Sequence, residues 1–73
     1  MQVMGRIIAV QESRFRLAAQ SGQVYLLTLA PTAPLDATAL ERLQQRQAQV
    51  SVEFEGEPNL LGGVARDVLE GGG

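Results

Sequence analysis

The chain has no cysteine, no histidine and no tryptophan, and its six basic residues are all arginine, with no lysine. Without cysteine there is no disulfide framework, no thiolate nucleophile and no sulfur ligand for a metal. Without histidine the commonest general base is missing, and with it the Ser-His-Asp and Cys-His arrangements. Carboxylates, hydroxyls, arginine and Tyr25 are what remain for chemistry. The composition therefore points away from an enzyme, and no metal, cofactor or small-molecule substrate is expected. No apolar run approaches the length of a membrane span, and MQVMGRIIAV is interrupted too early to form the apolar core of a signal peptide. A cytoplasmic location with no membrane partner is the expectation.

What is present suits one small globular unit. A chain of 73 residues has room for a single core and buries only about 60% of the surface its unfolded form exposes. With 45% hydrophobic and 19% charged residues and a net charge of −2, it falls outside the disordered class. One domain over residues 1–70 is expected, followed by a disordered glycine tail at 71–73.

Met4 to Val10, MGRIIAV, is rich in β-branched residues and reads as a first strand with two apolar faces. After the polar break Gln11-Glu12-Ser13, the stretch Arg14-Phe15-Arg16-Leu17 alternates with period two, setting Phe15 and Leu17 on one face and both arginines on the other. Gln20 to Gln23 is a turn with Gly22 at positive φ. Val24 to Ala30 is a third strand, with Tyr25, Leu27 and Leu29 on one face and Val24, Leu26 and Thr28 on the other; its buried face stays open. Pro31 and Pro34 end that strand because neither donates to a ladder. From Asp36 the period becomes helical, with Leu40 and Leu43 on the core stripe. Either Asp36 caps this helix with a Leu35–Leu40 staple, or Thr38 caps it with Glu41 closing the box. Gln49 to Glu55 alternates cleanly, Val50, Val52 and Phe54 inward and Gln49, Ser51, Glu53 and Glu55 outward. Val64 to Leu69 forms a last strand whose inward face is either Val64/Val68 or Ala65/Leu69, with a bulge invited by Gly62-Gly63.

Three strands, a helix and two more strands is the order of the five-stranded OB-like Greek-key barrel, in which a helix between strands three and four plugs one end. An SH3-like barrel or a small α+β sandwich also fits a meander followed by a helix and a hairpin; the single helix in that place favours the OB-like barrel. In length and layout the chain resembles bacterial translation initiation factor one and related S1-type OB domains. The resemblance is carried by MGRIIAV, FRLAAQSGQVYLL and QVSVEF, which look like that family's first three strands and its fourth. That family is basic, whereas this chain has 8 acidic residues against 6 basic ones, so ribosome binding is not implied. Residues 10–17, VQESRFRL, also resemble a group of short uncharacterised bacterial proteins, a likeness that implies no activity.

Charge is segregated along the chain. Residues 1–30 hold three arginines and one acid for a formal +2, and residues 31–73 hold three arginines and seven acids for −4. Arg6, Arg14 and Arg16, with Tyr25 as a stacking ring if it faces outward, form the candidate nucleic-acid site, because strands two and three of an OB fold carry oligonucleotides. The alternative is a solvated face whose arginines pair with Glu53, Glu55 or Glu12. Leu60 and Leu61 form a candidate protein contact, or else cap the open end of the barrel. Glu53 and Glu55, about 7 Å apart along a strand, look like a carboxylate pair. Together with Glu57 they have no reaction partner nearby and suit a charged outer strand face better than acid–base or metal chemistry. The expected function is a non-enzymatic binding module acting through another protein or a second copy of itself, with single-stranded nucleic acid as the alternative.

Overall fold

In a computed structural model, which describes residues 1–56 and 63–71, the strands are β1 (Gln2–Gln11), β2 (Arg14–Ala19), β3 (Val24–Leu29), β4 (Gln49–Glu55) and β5 (Gly63–Glu70), with helix α1 (Ala37–Gln45) between β3 and β4. They form the expected mainly β, five-stranded barrel, closed in the order β1-β2-β3-β5-β4. Beyond Gly71 the glycine tail lies outside the described residues. No helix among the described residues is long and apolar enough to cross a membrane.

β1 is the strand that closes the barrel, and it does so by pairing with two neighbours in succession. Its first half runs antiparallel to β4, from Gln2↔Glu53 to Arg6↔Gln49. Its second half runs antiparallel to β2, from Gly5↔Ala19 to Gln11↔Arg14. Only Gly5 and Arg6 are paired on both sides, and there the strands crowd together. A Cβ on Gly5 would lie 2.8 Å from the Ala18 carbonyl carbon and the Ala19 Cα, and nearer still to the Ala18 oxygen. Those atoms are backbone and cannot rotate away, so the close approach requires glycine.

Past the crossing the β1–β2 register slips between Ile7 and Ala9, leaving Ile8 as the extra residue of a bulge. β4 has ended by this point, and the Ile8 carbonyl accepts instead from the Gln44 side-chain amide of α1 at 3.0 Å. The helix thus satisfies the edge that the sheet leaves open. Asp36 is its N-cap, accepting from the Ala39 amide at 3.0 Å, which decides between the two start signals. Leu40 and Leu43 are buried and Leu35 packs against the same core. At the C-terminus the Ala48 amide donates to the Leu43 carbonyl at 3.1 Å and the Gln47 amide to the Gln44 carbonyl at 3.0 Å, while Gln47 itself sits at φ 51. This is a Schellman ending with glutamine where glycine is usual.

The core consists of the inward faces that alternation predicts: Phe15 and Leu17 from β2, Leu27 and Leu29 from β3, and Val50, Val52 and Phe54 from β4. Ser51 departs from the pattern, since it faces outward yet is buried. It lies between its cross-strand neighbours Met4 and Leu69, and its hydroxyl accepts from the Gln2 amide at 2.5 Å. β5 shows one residue from each expected face pointing in, Ala65 and Val68. The reason is a bulge at Arg66, where the register steps from Glu53↔Asp67 to Phe54↔Ala65. The irregularity therefore falls three residues beyond Gly63. Closure is completed by a short parallel pairing of β3 with β5, Leu27↔Gly63 to Leu29↔Ala65.

The Gly5 crossing yields a direct prediction. Gly5→Ala forces the backbones of β1 and β2 apart and should cost about 2–3 kcal/mol, a fall of roughly 10–20 °C in thermal midpoint for a domain of this size. Gly22→Ala, with φ +93 but nothing within 4 Å of the new Cβ, should cost only about 1 kcal/mol. Circular-dichroism melts of the two variants check the ranking, and an unperturbed Gly5→Ala midpoint would contradict the close approach.

Candidate binding face

The registers of β1, β2 and β3 place the three N-terminal arginines on one surface. Reading across the sheet, Arg6, Ala18 and Val24 form one row, Ala9, Arg16 and Leu26 the next, and Gln11, Arg14 and Thr28 the third. All three arginines are exposed. Between and beside them stand large apolar side chains in solvent, Ile8 at 48%, Val24 at 44% and Leu26 at 38% relative exposure. Ile8 reaches this surface as the next outward residue of β1 after Arg6, and Leu26 because it is the cross-strand partner of Arg16. Neither emerges from sequence periodicity: the first strand looks apolar on both faces, and the buried face of the third was open. Counting outward from the Ala19–Gln23 turn, closed by the Ala19 amide on the Gln23 carbonyl at 2.8 Å, gives the Arg16–Leu26 pairing once the turn is known.

The acids that could have neutralised these arginines are engaged elsewhere or apart from them. The Glu53 carboxylate lies 3.4 Å from the Met1 ammonium, and Glu55 accepts from the Arg66 guanidinium at 2.7 Å. Glu12 occupies the tip of the β1–β2 hairpin at φ 57 and makes no ion pair among the described residues. Arg46 grips Glu70 with two hydrogen bonds of 2.5 and 3.0 Å. Above all through that hydrogen bonding, Arg46 holds the Glu70 carboxyl below its ordinary range. For two exposed groups the stabilisation is small; it is present above the ordinary carboxylate range and fades as pH falls through the lowered Glu70 value. Among the described residues Arg6, Arg14 and Arg16 take part in none of the ion pairs.

Tyr25 stands apart from the arginines. Its residue is half-buried on the inward face of β3, its ring centroid lies 5.9 Å from that of Phe54 at a 42° tilt, and its hydroxyl donates to the Gln23 side-chain oxygen at 3.2 Å. Phe15 and Phe54 are buried. The arginine face therefore carries no exposed aromatic ring. Leu60, Leu61 and Glu57 lie outside the described residues. No group of three His, Cys, Asp or Glu side chains converges among the described residues. A hollow of about 680 Å³ lies over the other side of the barrel between Met4, Ser51 and Leu69. Its one buried hydroxyl, that of Ser51, is already taken by Gln2.

Compared with family models, with curated proteins and with solved structures, the chain matches none.

Because both side chains stand in solvent without an ion pair among the described residues, reversing their charge leaves the fold intact. Arg14→Glu with Arg16→Glu should move the thermal midpoint by no more than a few degrees, about 0.5 kcal/mol, with an unchanged far-ultraviolet spectrum. A loss of cooperative unfolding would mean that these guanidinium groups hold the barrel together.

Proposed function

We propose that this protein is a non-enzymatic binding module that docks another protein on the outer face of β1, β2 and β3. One observation carries the reading: Arg6, Arg14 and Arg16, without carboxylate partners among the described residues, share that face with exposed Ile8, Val24 and Leu26. Arginine mixed with apolar side chains is what protein interfaces concentrate, and solvated surface does not. The location agrees with the architecture, since the face of strands two and three is where OB barrels bind their ligands. Self-association through this face is disfavoured by charge. A two-fold contact would set the same patch against itself, arginine against arginine. The Leu60–Leu61 contact rests on sequence alone.

Single-stranded nucleic acid is the second reading, favoured by the row of arginines. It lacks the stacking rings that such sites ordinarily combine with a basic groove, because Tyr25 packs toward Phe54.

A photo-crosslinking amino acid placed at Ile8, in cells that produce the protein, tests the proposal against the same probe at Glu41 on the exposed flank of α1. Discrete protein adducts from position 8, absent from position 41 and lost on adding Arg14→Glu with Arg16→Glu, are the expected result. Equal labelling from both positions, no adducts, or adducts removed by nuclease would overturn it.

A further inference from the structure

Resting on that reading, we propose that the partner presents an acidic segment in extended conformation, with carboxylates at alternate positions, laid along the row Arg14, Arg16, Arg6. The geometry is linear. Arg14 and Arg16 are two residues apart on β2, about 7 Å, and Arg6 stands beside Ala18, two residues further along on the neighbouring strand. The three cations thus follow a shallow diagonal of about 14 Å, the length that five residues of extended chain cover, with every second side chain on the facing side.

Two shallow grooves follow the same line. One of about 450 Å³ lies between Arg14, Arg16, Ala9 and Leu26 over Phe15. The next, about 480 Å³, lies between Arg6, Ile8, Ala18 and Gln49. A compact ligand would fill one of them, whereas an extended segment runs through both. Apolar walls at Leu26 and Ile8 give such a segment something to bury beside its carboxylates, which matters because exposed ion pairs alone bind weakly.

Charge complementarity selects the acid. The face holds three cations, and the acids of this chain that carry ion pairs, Glu53, Glu55 and Glu70, are already matched to Met1, Arg66 and Arg46. The acids without an ion pair among the described residues, Glu12, Asp36, Glu41 and Asp67, do not alternate along any one strand, so a second copy of the chain could set carboxylates at alternate positions, as at Glu53 and Glu55, against this face only by breaking existing pairs. A nucleic-acid strand has phosphates at a similar repeat, but its bases would find no ring on this face. A separate acidic protein segment fits both the charge and the apolar walls.

The test is an amide NMR titration of the isotope-labelled chain with three probes. The first is a blocked decapeptide with glutamate at three alternate positions and leucine between two of them. The second is the same peptide with glutamine in place of glutamate, and the third is oligothymidine of about 12 nucleotides. The expected result is saturable shifts confined to residues around Arg6, Ile8, Arg14, Arg16 and Leu26 with the acidic peptide. Affinity should fall at least about tenfold for the glutamine peptide and for the Arg14→Glu, Arg16→Glu variant, the cost of losing two such pairs and adding repulsion. Equal binding of the glutamine peptide, or no localised shift with the acidic one, overturns the acidic segment. If position 8 still crosslinks to protein, a protein partner of other chemistry remains; if it does not, the docking face itself fails. Tighter binding of oligothymidine than of the acidic peptide overturns both in favour of nucleic acid.

Discussion

The structure depends on one strand pairing with two neighbours at a single point. β1 leaves β4 and joins β2 across Gly5 and Arg6, the two residues paired on both sides, and the backbones there are too close for any side chain at position 5. Without that handover the meander of β1, β2 and β3 would remain an open sheet. The helix then completes what the handover leaves unfinished, since Gln44 satisfies the Ile8 carbonyl beyond the end of β4. The opposite seam is slighter, a parallel pairing of β3 with β5 over three registered positions. In a chain with so small a core, closure of this kind removes the sheet edges that would otherwise pair with other chains.

The same constraint shapes the outer surface. Ile8 stands in solvent two residues from Arg6 on the same face, as alternation places it, and the slip that follows the crossing brings the next residue, Ala9, into that outward row beside Arg16. On the far side of the barrel, acids and bases neutralise each other in pairs. The charge segregation legible along the chain thus becomes a segregation in space: among the described residues the ion pairs draw on Glu53, Glu55, Arg66 and Glu70 of β4 and β5, and none draws on the arginines of β1 and β2.

Much of this was legible in the sequence where a single physical period governs a segment. β4 spans Gln49–Glu55 as alternation predicts, because one face is core and the other is mostly wet. The helix and its leucine stripe follow from the 3.6-residue period, and the prolines mark the end of β3. What was hidden lies where period two breaks. The bulge at Arg66 turns both Ala65 and Val68 inward, so neither simple alternation describes β5. The bulge at Ile8 falls in a strand apolar on both faces, where a one-residue slip leaves no trace in the pattern. Ser51 is buried on an outward position because Gln2, Met4 and Leu69, from strands distant in sequence, converge on it. Of the candidate site, the arginine row was legible from alternation in the second strand; its apolar companions were not, since they depend on register across three strands.

Among the described residues Arg6, Arg14 and Arg16 take part in no ion pair, whereas Arg46 and Arg66 are held by Glu70 and Glu55. Nitrogen-15 NMR of the arginine side chains in the free protein measures this directly, through the rate of guanidinium rotation and hydrogen exchange at each Nε. Hydrogen-bonded guanidinium groups are held in place and exchange slowly. Slowed signals from Arg46 and Arg66 alongside fast ones from Arg6, Arg14 and Arg16 are expected. Slow exchange at Arg14 or Arg16 in the free protein would contradict it, because those cations would then already have found their carboxylates.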